Sequence, residues 1–168
     1  SIQDWRDRDE LRRLNGAESE DTYLKLPVPY RSRNGNLQDV AELRQIRGVT
    51  PELYAGTPER PGLRDLLTAI PLGSVNLNTA AVPVLTAFGL ADAEVSEVLG
   101  ARGRTPYLTL PARFAGRGLG VETATFRIEA EGAIPGSATS RLIAVIQRGV
   151  PGGGAGVTVR QWRPVTVP

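Results

Sequence analysis

In the stretch "NLQDVAELRQIRG", Leu37, Val40, Leu43 and Ile46 recur at every third residue, so they share one face of a short helix. Asn36 stands where a cap is needed, and Gly48 is placed to end the element. "TPELYAG" predicts a second start, with Thr50 as cap, Pro51 at the first helical position and Glu52 in the first turn. "GLRDLLTAIP" adds another turn or two of helix. Before these, "SIQDWRDRDELRRL" looks like a helix end running into an acidic turn, and "NGAESEDTYLKLPVPYRSRNGN" carries turn chemistry throughout.

"SVNLNTAAVPVLTAFGL", residues 74–90, alternates Val75 and Leu77 with Asn76 and Asn78 as a short strand, then turns apolar. Thr79 is the expected cap of a helix ending near Gly89, with Pro83 in its first turn because proline has no amide hydrogen to donate. A following helix, "DAEVSEVLGAR", is expected to start at Asp92, its carboxylate accepting the Val95 amide, and to stop at Gly100 or Gly103. From residue 123 the pattern changes to β-rich runs: "TATFRIEAEGAI", "SRLIAVIQRG" and "VTVRQWRPV", joined by "IPGSATS" and "VPGGGAG". The simplest arrangement is a three-stranded antiparallel sheet, whose apolar face needs a cover. A helix is the usual cover, no long one precedes these strands, and an upstream segment is the expected source.

The fold class that follows is α+β: a helical domain over residues 1–112, then antiparallel strands over 113–168. Charge divides the chain similarly. Residues 1–100 hold 11 basic and 15 acidic side chains, whereas 101–168 hold nine basic and three acidic ones. The 168 residues suffice for one domain or two small ones, and no apolar run is long enough for a bilayer span or resembles a signal peptide. The sequence starts at Ser1 and contains no Met, so it is expected to be a piece of a longer or processed protein, with any membrane anchor upstream.

There is no Cys and no His, which removes disulfides, thiol nucleophiles, Cys/His zinc sites and the commonest general base. No G-x-S-x-G elbow occurs, and no pair of carboxylates is singled out for acid–base work. The glycine-rich "GVPGGGAGV" and "GRGLGV" lack the Lys and Ser/Thr of a phosphate loop and read as connections. The chain is therefore read as a non-enzyme.

Two features carry candidate chemistry. Residues 74–102 have the outline of a helix-hairpin-helix, the basis of an alternative reading as a nucleic-acid-binding module. That motif needs a turn of the form apolar–Gly–apolar–Gly, so that bare amides approach a phosphate. Here the turn is Phe88-Gly89-Leu90-Ala91, followed by Asp92, Glu94 and Glu97 with no cation before Arg102. Cations supply most non-specific DNA affinity, so no nucleic-acid partner is expected. The second feature is the run Asp4, Asp7, Asp9, Glu10, Glu18, Glu20 and Asp21. It reads either as oxygen ligands gathered in a loop, which calcium requires, or as a solvated face neutralised by Arg6, Arg8, Arg12 and Arg13.

Taken in order, "DWRDRDE", "NGAESEDTY", "PYRSRNGNLQDVAELRQIRGVTPELY", "VNLNTAAVPVL" and the strand-rich C-terminus resemble the K-type minor pseudopilin of the type II secretion system, general secretion pathway protein K. The resemblance implies a helical domain inserted into a pilin-like fold, sitting in the periplasm of a Gram-negative bacterium below an inner-membrane helix that this sequence lacks. It implies a structural role at the pseudopilus tip, assisting protein export across the outer membrane. It also implies I- and J-type minor pseudopilins as partners, with secreted proteins as possible substrates. Finally, it implies structural calcium at Asp7, Asp9, Glu18 and Asp21, with Asp4 and Glu20 as further candidates and Asp9 and Glu18 expected first.

Overall fold

The computed structural model describes residues 1–70, 73–134, 139–149 and 156–165. The chain forms two compact units, Ser1–Pro71 and Leu72–Pro168. The boundary near residue 112 expected from composition falls inside the second unit. A parallel pairing explains why: Val75 sits opposite Leu119 and Asn76 opposite Gly120, tying the hairpin segment to chain beyond 112.

The first unit is built from short pieces. Helix α1 (Ile2–Arg6) ends at Asp7, and α2 (Pro51–Ala55) starts as expected, with the Thr50 hydroxyl accepting the Leu53 amide and Pro51 at the first position. After α2 comes a minimal antiparallel pair, β1 (Gly56–Thr57) and β2 (Arg60–Pro61), then the single turn α3 (Leu63–Leu66). The expected helix after Asn36 is a 3-10 helix over Val40–Gln45, and its cap is Asp39 rather than Asn36. Asp39 accepts the Ala41 amide while Glu42 reaches back to the amides of Gln38 and Asp39, the reciprocal arrangement that satisfies a helix start. A second 3-10 turn covers Tyr23–Lys25. The periodic apolar positions do converge: Trp5, Ala17, Tyr23, Leu43 and Ile46 form the buried core, with Leu37 and Val40 packed against it. Trp5 meets Tyr23 edge-on at 5.2 Å between ring centroids, and Tyr23 stacks on Tyr30 at 5.2 Å.

In the second unit, β3 (Val75–Asn76) pairs with β4 (Leu119–Gly120), and helices α4 (Val82–Ala87) and α5 (Asp92–Arg102) lie between them in sequence. Thr79 does not cap α4. The cap is Ala81, Pro83 lies in the first turn, and the amides of Thr79 and Ala80 are taken by the Asn76 carbonyl in a turn preceding the helix. Asp92 likewise does not cap α5, because Ala91 holds that position and the Val95 amide goes to the Ala91 carbonyl. The helix ends at Gly103, one of the two expected stops. Leu77, Leu85, Leu90, Val95, Val98, Phe114 and Leu119 form this unit's core.

The three predicted strands form one antiparallel meander: β5 (Thr125–Ala133), β6 (Thr139–Arg148) and β7 (Val157–Val165), in that order. The register puts Phe126, Ile128, Leu142, Ala144, Ile146, Val159 and Trp162 on one face. Trp162 is 68% exposed and Val159 59%, so among the described residues this apolar face is largely uncovered. The opposite face carries Glu129 between Arg127 and Arg141. The expected connections "IPGSATS" and "VPGGGAG" lie mostly outside the described residues. No helix among the described residues is long and apolar enough to cross a membrane.

Candidate metal centre

Part of the acidic run leaves the surface: Asp4 and Glu18 are buried, whereas Asp9, Glu10 and Glu20 stay exposed. Helix α1 places Asp4 and Asp7 three residues apart, hence on neighbouring positions of one side. The chain then leaves α1 and returns through a turn at Asn15, which adopts a left-handed φ of 59°, and Gly16. The return is pinned by Asp4 Oδ2, which accepts the Ala17 amide at 2.8 Å. Glycine at 16 is required by this approach, because a Cβ there would stand 1.7 Å from Asp4 Oδ2. Glu18 follows directly, and one carboxylate oxygen from each of Asp4, Asp7 and Glu18 lies within 4.8 Å of the others.

Asp4 is fully buried and Glu18 is 1% exposed. Asp4 Oδ1, Glu18 Oε1 and both Asp7 oxygens are shielded from solvent and have no hydrogen-bond partner. Other oxygens nearby are satisfied: Glu18 Oε2 accepts from the Ser32 hydroxyl at 3.3 Å, and Glu10 accepts from the Ser19 amide and the Asn34 side chain. Among the described residues, the one cation at the cluster is Arg13, whose guanidinium reaches Asp7 Oδ2 at 3.0 Å and Asp4 Oδ1 at 3.7 Å as an ion pair without hydrogen-bond alignment. Three carboxylates against one arginine leave two negative charges when all are ionised. Unpaired buried charge of that size is costly. The strain registers on Glu18, whose pKa is pushed up from 4.5 to about 7, first by burial and then by the charges of Asp4, Asp7 and Glu10.

Of the residues expected to bind calcium, the fold thus gathers Asp7 and Glu18 and joins them with Asp4. The others are engaged elsewhere. Asp9 Oδ1 accepts the Leu11 amide at 2.9 Å. Asp21 accepts the Glu18 amide and the Thr22 hydroxyl and pairs with Arg12 at 2.8 Å, and these bonds hold its carboxyl below the usual range, the Glu18 amide being the largest cause. Glu20 pairs with Arg31. The prominence of Asp4 had one sequence signal, its spacing of three from Asp7 beside a buried Trp.

The donor set suits a hard divalent cation: anionic oxygens, already desolvated, with two charges unmatched. Asp4, Asp7 and Glu18 would hold such an ion, which would supply charge neutralisation and a cross-link between α1 and the returning loop.

The hairpin segment offers no comparable site. The Gly89 amide, at a φ of 82°, is spent on the Thr86 carbonyl, and the Ala91 amide is taken by the Glu94 carboxylate. Glu94 in turn is paired with Arg117 at 2.9 Å. The position where a phosphate would dock is filled by the chain's own acid, so the nucleic-acid alternative finds no support.

Comparison with known proteins agrees with the resemblance seen in the residues. The family described as Type II secretion system (T2SS), protein K matches residues 1–71. A "Type II secretion system protein K" of Pectobacterium carotovorum subsp. carotovorum is 34% identical over 102 residues, 58% of this chain and 29% of that protein. A chain in the crystal structure of the GspK-GspI-GspJ complex from enterotoxigenic Escherichia coli superposes with a TM-score of 0.68, at 19% identity, covering 99% of this chain and 62% of that one. The likeness to the K-type family is one of sequence, over the first unit, and the likeness to a chain of that complex is one of fold, over nearly the whole chain. The chain spans less than a third of the length of the Pectobacterium relative.

Proposed function

We propose that this chain, alike to type II secretion protein K in sequence and in fold, is the globular part of a minor pseudopilin at the tip of a secretion pseudopilus. The observation that carries the reading is the agreement of two findings: the family match over residues 1–71 and the fold match over 99% of the chain. The role is structural, with no chemistry on a substrate. It would be exercised in the periplasm, below an inner-membrane anchor, and would assist protein export across the outer membrane.

The partners proposed are the I- and J-type minor pseudopilins. The apolar face of β5, β6 and β7 supports this setting, since it needs an apolar helix to cover it, as a pilin-like fold would supply. The test is to mix the purified chain with I- and J-type partners. Light scattering should then show one defined ternary complex. A mixture that stays strictly monomeric would overturn the reading.

Calcium is proposed as a structural ion held by Asp4, Asp7 and Glu18. The support is the set of buried, unpartnered oxygens, which carry two uncompensated charges when all three carboxylates are ionised. An ion that binds only the folded state raises the melting temperature as its concentration rises. Melts in calcium and in chelator test this, and identical curves would return the acidic run to a self-neutralised surface.

A further inference from the structure

Arg13 occupies a position that the metal reading does not use. Among the described residues it is the only cation within ion-pairing distance of the three gathered carboxylates, yet its side chain is 49% exposed. It contacts Asp7 Oδ2 and Asp4 Oδ1, and both are among the oxygens left without hydrogen bonds. It makes neither contact in hydrogen-bonding alignment, so it neutralises the pair by charge alone.

We infer that Arg13 is a built-in competitor for the divalent cation: it holds Asp4 and Asp7 together without the ion and is displaced toward solvent when the ion binds. This rests on the calcium reading of the site. The physical reason is that a guanidinium and a divalent ion both draw on the same two oxygens, and an oxygen contacted by one is less available to the other. A half-exposed arginine on a mobile stem gives up its contact at low cost, because water receives the guanidinium. The arrangement lowers affinity for the ion and protects the ion-free chain from its own repulsion. Affinity is then tuned so that the unit survives before it meets calcium.

Gly16 adds a constraint on the exchange. Its amide donates to the Arg13 carbonyl at 2.8 Å, so the backbone of Arg13 is fixed to the turn while the side chain moves. Displacement therefore needs only rotamer changes. Arg12, the adjacent residue, pairs with Asp21 outside the gathered group and serves as the internal control.

The experiment titrates calcium by calorimetry into the wild type, Arg13→Gln, Arg13→Lys and Arg12→Gln at about 0.15 M salt, where charges beyond roughly 8 Å are screened. Arg13→Gln should bind calcium roughly fivefold more tightly, the scale of one lost ion pair. It should also melt at a lower temperature in chelator. Arg13→Lys should stay near wild type, because it keeps the charge, and Arg12→Gln should change affinity less than Arg13→Gln. If Arg13→Gln folds only with calcium present, that also supports the inference, since it shows Arg13 holding the carboxylates in the ion's absence. Unchanged or weaker binding by Arg13→Gln, with the wild type still binding, would overturn the competition and leave the calcium site standing. No calcium response in any of the four proteins would overturn both.

Discussion

Glu18→Gln should stabilise the chain in chelator and destabilise it in calcium, and this reversal of sign separates an ion site from an ordinary buried acid. Glu18 is 1% exposed and its pKa in the fold is about 7, against an ordinary value of 4.5. Folding therefore favours its protonated form. The stability it contributes is full below about pH 4.5 and is lost as pH rises through 7. At pH 8 the shift corresponds to a cost of about 3 kcal/mol, at 1.36 kcal/mol per pH unit.

The glutamine variant never carries that charge. Its amide can donate to Asp4 Oδ1 or to an Asp7 oxygen, which lack hydrogen-bond partners, while its oxygen still accepts from Ser32. Allowing for imperfect geometry, a net gain of about 2 kcal/mol is expected at pH 8 in chelator. That is a rise of roughly 5–10 °C in melting temperature. In calcium the order inverts, because the wild type gains about 2.7 kcal/mol when the ion is at a hundred times its Kd and the variant loses an anionic ligand. The assay is thermal unfolding of both proteins at pH 5 and pH 8, each with EDTA and with excess calcium. A variant less stable than wild type at pH 8 in EDTA, or one with the wild-type pH slope, would refute the reasoning.

Gly16→Ala should cost about 2–4 kcal/mol and remove any calcium response, because the new Cβ would fall 1.7 Å from Asp4 Oδ2; thermal melts with and without calcium check both effects. Asn78→Ala should cost about 2–3 kcal/mol by urea denaturation, since its side chain donates to the carbonyls of Tyr107 and Val121 and accepts the Tyr107 amide. Thr79→Ala should change stability by less than about 0.5 kcal/mol in the same assay, because the residue is exposed and Ala81 holds the cap position.

Local signals with one dominant cause were legible in the sequence. Thr50 and Pro51 start α2 because hydroxyl and ring both favour that position. The three C-terminal runs pair as an antiparallel meander because their alternation admits little else. Caps failed where two acceptors competed. Asn36 and Asp39 both precede the apolar stretch, and only Asp39 has Glu42 three residues on to complete the reciprocal bond. Thr79 lost to the turn around Asn76, which consumes the amides that a helix start would offer. The same competition decides which residues of the acidic run are gathered. Asp9 and Asp21 turn to amides two and three residues away, as short acidic side chains in loops do, and this withdraws them from the gathered group. Asp4 and Glu18 meet only through the turn at Asn15 and Gly16, a tertiary event that spacing alone does not report.

Removing calcium should loosen the first unit selectively. Its helices α1, α2 and α3 have five, five and four residues, far below the length at which a helix stands alone. Its order rests on the core around Trp5 and Tyr23 and on the return of residues 16–18 to α1. Without the ion that return is held by the packing of Ala17 in the core, by a few hydrogen bonds such as Ala17 to Asp4 and Ser32 to Glu18, and by Arg13, against repulsion among three carboxylates. Among the described residues the second unit gathers no such acidic group: α5 has 11 residues, Asn78 bonds to the chain at Tyr107 and Val121, and β5, β6 and β7 are joined by antiparallel ladders. Hydrogen exchange in EDTA at pH 8 should therefore accelerate at Ala17, Tyr23 and Asn34, whose amides bond to Asp4, Glu18 and Trp5. Exchange within α5 and β6 should stay as it is in calcium. Local opening follows the weakest cooperative unit, so a loss of protection spread evenly over both units would show that the acidic cluster is not what holds the first one together.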